Sequence, residues 1–387
     1  SGSKLGSMTQ INYIERAESV TSLVREYADQ AEQQRHLPRP IAEAFASLGL
    51  YRIAAPLDCH GADTDSLTQM RVIEIVSEAD GSAGWNLMIG IETFGLVAPA
   101  LVSCPELIAD PLTIMASSTA AVGRAERSDS GWSVSGQWQF VSGIHNAQVF
   151  GATVKLYENG EPVDDRFHYA VVEEGHYEII DTWNVSGLRG SGSHDVRIDN
   201  ITVENNRIVE PMGGLRDRSA QLRLPLGNRL AFNKVAVGLG IARAAIDAFV
   251  ELATSKTPRF NSRSLRDRSS AQLAVAKAEA RLRGARAAVF EQVEKNWSIA
   301  VAGDPLPERD RALVHVLCSD AALAIAEVVD IVANASGTTA NQVGHPLERL
   351  ARDARVIRQH ATVAPQNMED AGRVLLGLEP TGVMLRI

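Results

Sequence analysis

Apolar and polar positions change their rhythm twice along this chain. From residue 11 to about 112 the apolar positions recur at helical spacing. Ala28, Ala31, Leu37, Ile41, Phe45 and Leu48 form one amphipathic run that Gly49 ends. Loop chemistry fills 54–64 (AAPLDCHGADT), and 66–79 reads as a second helix. The stretch DGSAGWNLMIGIETFGLVAPAL is small and apolar throughout, the pattern of a helix buried on all sides. At Thr113 the period shortens. Short alternating runs follow to Val209, with Asp129-Ser130-Gly131 and Glu158-Asn159-Gly160 as hairpin-type turns. After a basic linker (Arg216, Arg218, Arg223, Arg229) the helical period returns to the end in four or five helices. Their alanine-rich faces suit close helix packing. The pattern predicts an α+β chain in three parts: a helical domain over 8–112, an antiparallel β domain over 113–222 and a four-helix bundle over 223–387.

Composition narrows the class. The 387 residues suffice for two or three domains, and 45% hydrophobic with 22% charged residues is ordinary for a globular protein. A net charge of −9 and a pI near 5.6 argue against general nucleic-acid or anionic-membrane binding. Cys59, Cys104 and Cys318 lie far apart in no metal-type spacing, which predicts a reducing, cytoplasmic setting without disulfides. No run is read as reaching the ~18 apolar residues of a membrane helix. The opening SGSKLGS reads as an expression remnant ahead of Met8.

Most of the candidate motifs fail on context. Gly238-Leu239-Gly240 lacks a third glycine and follows no strand, so it is not a dinucleotide fingerprint. No His-Glu-x-x-His run or carboxylate–histidine cluster occurs, and no metal is expected. Ser193-His194-Asp195 are consecutive, whereas triad members meet in space, so the run is read as coincidence. The segment GHPLERLARDARVIRQHATVAPQNMEDAGRVLLG is different. Pro346 opens a helix, Leu347, Leu350, Ala351 and Ala354 form its apolar side, and Glu348, Arg349, Arg352, Asp353 and Arg355 fall largely on the other side. Pattern alone reads this as a surface helix laced with ion pairs.

That segment also resembles the last-domain signature of the acyl-CoA dehydrogenase superfamily, NPxERxxRDAR. GQWQFVSGIHNAQVFGA is similar to the superfamily's flavin-lining strand, and TWNVSGLRGSGSHDVRIDNITV to its W-x-x-x-GLRGTGS-x-DV segment. The three occur in the family's order and together span nearly the whole chain. The resemblance implies the superfamily's fold and a flavin between the β domain and the bundle. It implies Phe140 against the isoalloxazine, the Ser142 hydroxyl facing N5, and Trp85 and Phe94 walling the substrate cavity. It also implies a homotetramer in which Arg259 and Phe260 meet the flavin tail of a neighbouring subunit.

In the dehydrogenases a glutamate after RDAR removes the substrate's α-proton. Here Ala361 stands at that position, and 222–250, the other known place for the base, holds no glutamate. His360 instead matches a histidine of the flavin-dependent monooxygenases that share the fold, the oxygenase halves of two-component systems. That branch implies reduced FAD (FMN being the alternative) supplied by a separate flavin reductase, molecular oxygen, and a C4a-hydroperoxyflavin that hydroxylates an indolic or phenolic substrate. Ser142 and His360 are then the expected catalytic residues, His360 moving a proton with an ordinary pKa of about 6.5. An acyl-thioester dehydrogenase, an N-hydroxylating relative and a non-catalytic member remain the alternatives.

Overall fold

The computed structural model describes residues 11–211 and 219–387; Arg216 and Arg218 of the basic linker lie outside them. The first predicted helix is two. α1 (Tyr13–Gln34) ends at Arg35, which takes a left-handed conformation, and α2 (Arg39–Ser47) starts after Pro38. Apolar spacing runs on through the break, but proline is tolerated only at the start of a helix, so Pro38 as N-cap and Pro40 in the first turn begin a new one. α3 (Ser66–Ala79) is capped by Asp65, whose carboxylate accepts from the Thr68 amide at 2.8 Å. Asp80 then both ends α3 and caps α4 (Gly81–Val97). Of the α4 residues only Ile89 is not buried. With its 3-10 continuation, Gly81–Ser103 is long and apolar enough to cross a membrane by length and composition, contrary to the sequence reading, and most of it is buried within the protein. α5 (Glu106–Ala109) leads into the sheet.

The sheet comprises β1 (Met115–Ser128), β2 (Gly131–Val141), β3 (Val149–Glu158), β4 (Glu161–Pro162), β5 (His168–Glu173), β6 (Glu178–Ile180), β7 (His194–Val203) and β8 (Ile208–Val209), in the order β6-β7-β2-β1-β3-β5-β8 with β4 on β3. It is mostly antiparallel, with one exception: β1 and β3 run parallel. Because β2 returns antiparallel to β1, it ends beside the start of β1. The connection 142–148 crosses to the other edge there, and β3 leaves alongside β1. Period-two alternation cannot distinguish the two pairings, so the expected antiparallel sheet is found with this one parallel pair within it. That crossing carries Ser142.

After α6 (Ala220–Arg223) come α7 (Leu226–Ser255), α8 (Ser269–Ala302), α9 (Glu308–Ser336), α10 (Pro346–Ile357) and α11 (Gln366–Leu375). α7 packs against α3 and α4 as well as against α8, α9 and α10, so both helical regions share one hydrophobic core. The sheet encloses a smaller second core around Trp138 and Phe150. Ala321, Ala322, Ala324, Ala326 and Val328 of the alanine-rich α9 are buried inside the chain. The small faces that let helices approach closely are consumed by the bundle itself.

Candidate active site

Ser142 occupies the point where α4, β2 and β7 meet. Its hydroxyl accepts from the Trp85 indole N–H at 3.2 Å and lies 2.6 Å from the Ser193 hydroxyl, which is 2.8 Å from that of Ser191. Trp85 in turn meets the His360 ring edge-on at 5.4 Å between centroids. Four stretches far apart in sequence thus converge on one cluster of Trp85, Ser142, Ser193 and His360.

Beside it, the pairing of β2 with β7 slips between Trp138 and Val141. Phe140 sits in that bulge with a left-handed φ of 57°, rare for a bulky residue. The distortion turns its ring outward, 59% exposed, edge-to-face with Trp183 at 6.3 Å. An exposed aromatic held by a strained backbone next to buried hydroxyls is a suitable platform for a flat heteroaromatic ring.

α10 fastens this platform. Asp353 accepts from the Leu188 amide at 2.6 Å, and Arg352 donates to the Ser186 carbonyl. A Cβ at Gly187 would lie 2.4 Å from the Arg352 carbonyl, so only glycine allows the approach. Arg352 also pairs with Glu348 and Glu32, Arg349 with Asp29, and Arg355 with Asp330. The charged face of LERLARDAR is therefore an ion-pair surface, as the pattern reads, and two of its residues also tie down the loop that carries Ser191 and Ser193. Burial, then the charge of neighbouring Asp80, pushes the Asp353 carboxyl up to about 7; burial pushes Asp80 up to about 6.

His360 follows α10. Its Nδ1 accepts from the Thr362 amide at 3.3 Å and lies 2.9 Å from the Thr362 hydroxyl. An Nδ1 that accepts leaves the proton of the neutral ring on Nε2. Burial, aided by the Lys234 ammonium, pushes the ring down to about 3, far below the 6.5 expected from sequence. His360 is thus a neutral hydrogen-bond donor at working pH.

The structure does not bring every expected residue here. Phe94, nine residues beyond Trp85, points from the opposite side of α4, where the Arg52 guanidinium covers its ring at 4.9 Å. Phe260 is 99% exposed beyond α7 with a φ of 62°, and its ring lies 5.7 Å from the Arg259 guanidinium. It meets nothing of the cluster in its own chain. Ala361 presents a methyl group, and Asp247 is engaged by Arg243 at 2.8 Å on an outer face of α7. His194 turns toward the Arg35 carbonyl and Asp195 toward Gln137, so Ser193, His194 and Asp195 form no triad. Sequence reading missed Ser191, Ser193 and Trp183, although all three lie in the segment TWNVSGLRGSGS. It also missed a buried polar group made by Glu92, Asn233 and Lys234 on α4 and α7, which helical periodicity alone marks only as an interruption of the apolar faces.

Residues 15–103 match the acyl-CoA dehydrogenase N-terminal domain and residues 233–365 the acyl-CoA dehydrogenase C-terminal domain. Indole-3-acetate monooxygenase of Pseudomonas putida is 33% identical, with 90% of each chain covered. The FADH2-dependent resorcinol hydroxylase oxygenase component of a Rhizobium species is 25% identical over 96% of each. The crystal structure of 3-HSA hydroxylase from Rhodococcus sp. RHA1 superposes with a TM-score of 0.86 at 26% identity, covering 97% of this chain and 99% of the other. With a shared fold, the relatives' names and a relative 33% identical over 90% of the chain, the chain belongs to the flavin-dependent monooxygenases of the acyl-CoA dehydrogenase superfamily.

Proposed function

We propose that this chain hydroxylates a small indolic or phenolic compound, using reduced FAD delivered by a separate flavin reductase. The observation that carries the reading is the convergence of Trp85, Ser142, Ser193 and His360 beside the outward-facing Phe140. The residues fit a flavin. Phe140 and Trp183 offer aromatic edges to its ring, and the serine hydroxyls offer donors to a ring nitrogen. When bound, reduced flavin supplies the activation of dioxygen and the transfer of one oxygen atom to the substrate.

The protein's share is placement and exclusion of water. The buried Ser142–Ser193–Ser191 chain holds its hydroxyls in fixed orientation, which supports Ser142 as the partner of the flavin's N5. Trp85 closes the cluster on its α4 side. The His360 Nε2–H, kept in place by Thr362, is available to a substrate oxygen or to the oxygen that leaves. Because its ring is neutral, this contribution is a hydrogen bond in the resting protein, and no base is required of it.

FAD is favoured over FMN by the relative whose name specifies FADH2. Arg259 and Phe260 support a homotetramer in which this exposed pair covers the flavin tail of a neighbouring subunit. The three cysteines, all free and buried, fit a cytoplasmic setting. The experiment is reconstitution under oxygen with reduced FAD or reduced FMN, scored by hydroxylated product from indole-3-acetate and simple phenols. Oxidation of an acyl thioester, with no oxygen inserted into aromatics, would replace this reading by the dehydrogenase one.

A further inference from the structure

One polar cluster inside the helical core has no part in the flavin platform. Lys234 of α7 is 2% exposed, and its ammonium donates to Glu92 Oε2 on α4. Asn233 donates through Nδ2 to Glu92 Oε1 at 3.3 Å, which fixes the orientation of its amide, because a carboxylate accepts only. Its Oδ1 then points away without a hydrogen-bond partner, although Asn233 is as buried as Lys234. Burial pushes the Glu92 carboxyl up, opposed by Lys234.

Stability does not demand such a cluster. A buried ion pair gains little over well-packed hydrocarbon of the same volume. An orphaned amide oxygen adds cost, and buried polar groups of this kind ordinarily find a partner.

The cluster's position supplies the reason for it. Trp85, Ile89 and Glu92 recur at i, i+4 and i+7, so they share one face of α4. Trp85 touches His360 at one end of that face. Ile89, the only residue of α4 that is not buried, lies in the middle of that face, which the hydroxylase reading makes a wall of the substrate chamber. Glu92 and Lys234 close the other end, about 10 Å from Trp85 at the helical rise. That span matches an aromatic ring system with a short polar arm. Lys234 is also near enough to His360 to disfavour its protonation.

We propose that Lys234, held in place by Glu92, binds an oxygen substituent of the aromatic substrate, a phenolic hydroxyl or a carboxylate, at the inner end of the chamber. The ammonium has three donors, of which Glu92 takes one, and a substrate oxygen accepts another. A hydroxyl would in addition donate to the unpartnered Asn233 Oδ1; a carboxylate would not. Lys234 and Asn233 thereby set how far the ring extends toward Ser142, and so which carbon is presented for oxygenation. This assignment rests on the hydroxylase reading of the chamber.

The test is equilibrium binding to the flavin-free protein, followed by quenching of tryptophan fluorescence. The probes are 4-ethylphenol, its oxygen-free counterpart 4-ethyltoluene, and the pair indole-3-acetate and 3-ethylindole. Wild type is expected to bind at least one oxygen-bearing probe about 10–100-fold more tightly than its partner, the scale of a hydrogen bond to a charged group. Lys234→Met alone leaves the buried Glu92 carboxylate without its ammonium, so the paired variant Lys234→Met with Glu92→Leu keeps the core apolar and folded. It should erase that preference and leave binding of 4-ethyltoluene and 3-ethylindole unchanged. A phenol preference also lost in Asn233→Leu assigns the hydroxyl; an indole-3-acetate preference that survives Asn233→Leu assigns the carboxylate. Equal binding of both members of each pair by wild type, or a preference that survives the paired variant, overturns the proposal. Selective binding without oxygenation on adding reduced flavin and oxygen would overturn the proposed function and leave this site standing.

Discussion

The Thr362 amide donates to Nδ1 of His360 at 3.3 Å, and this contact decides what the histidine offers the chamber. It fixes the neutral tautomer with its proton on Nε2. Burial holds the ring in that form by pushing its pKa down to about 3. The folded-state pKa is thus below the unfolded one. Whatever stability His360 contributes is present above the unfolded value of about 6.5 and is lost as pH falls toward 3.

Replacing His360 by alanine is expected to leave flavin affinity and folding nearly intact. Product formation should fall by roughly 10²–10⁴-fold, the range for a positioned acid–base or donor group. Oxygen consumption should continue and appear as hydrogen peroxide. The wild-type pH profile of kcat/KM should show no step between about pH 5 and 8 that disappears in His360→Gln. Unchanged product per oxygen consumed in His360→Ala would remove His360 from the mechanism.

Ser142→Ala deletes the hydroxyl shared by Trp85 and Ser193. Its expected signature is more hydrogen peroxide per product at unaltered oxygen consumption, with Ser193→Ala giving a smaller change in the same direction. A coupling ratio equal to wild type in both variants would assign the serine chain to packing alone.

Asp353 makes stability depend on pH in the opposite sense to most carboxylates. Its folded pKa is raised to about 7 by burial and by the Asp80 charge. The contribution is full below about pH 4 and is lost as pH rises through 7. Asp353→Asn keeps an acceptor for the Leu188 amide and removes the charge. At pH 8 the variant should melt at least roughly 2–4 °C above wild type, and the gap should close near pH 4. His145, pushed down to about 4 by burial and by the charges of His36 and His194, works the other way, its stability being lost as pH falls from about 6.5 toward 4. A variant less stable than wild type at pH 8 would contradict the account of Asp353.

Phe260→Ala tests the subunit proposal. The side chain is almost fully exposed and packs on no core, so the fold should be unaffected. Flavin affinity should weaken, and the assembled fraction measured by sedimentation should fall if this ring covers a neighbour's cofactor. A monomeric wild type at micromolar concentration would set the tetramer aside.

How much of this was legible in sequence follows from physical range. Helical period gave α3 with its observed bounds, because Asp65 and Asp80 cap both ends locally. The same signal ran through Pro38 and Pro40, where backbone chemistry overrides spacing. Phe140 and Ser142 were found by likeness to a family segment; neither the bulge nor the left-handed φ at Phe140 is written in alternation. Ser193 was discounted along with its neighbours, because strand geometry sends the three side chains to different partners. Phe94 went astray since nine helical residues reverse the face, and a list of aromatic residues does not record direction. Glu92 and Lys234 lie 142 positions apart, and only the packing of α4 on α7 joins them.

The most direct measurement of the central claim is isotopic. The protein, chemically reduced FAD and a panel of indole-3-acetate and simple phenols are mixed under ¹⁸O-labelled dioxygen, and products are weighed by mass spectrometry. The account predicts one labelled oxygen atom in a hydroxylated aromatic product, absent without the protein. Reoxidation of the flavin to hydrogen peroxide alone across the whole panel, with turnover appearing only on an acyl thioester, would contradict it.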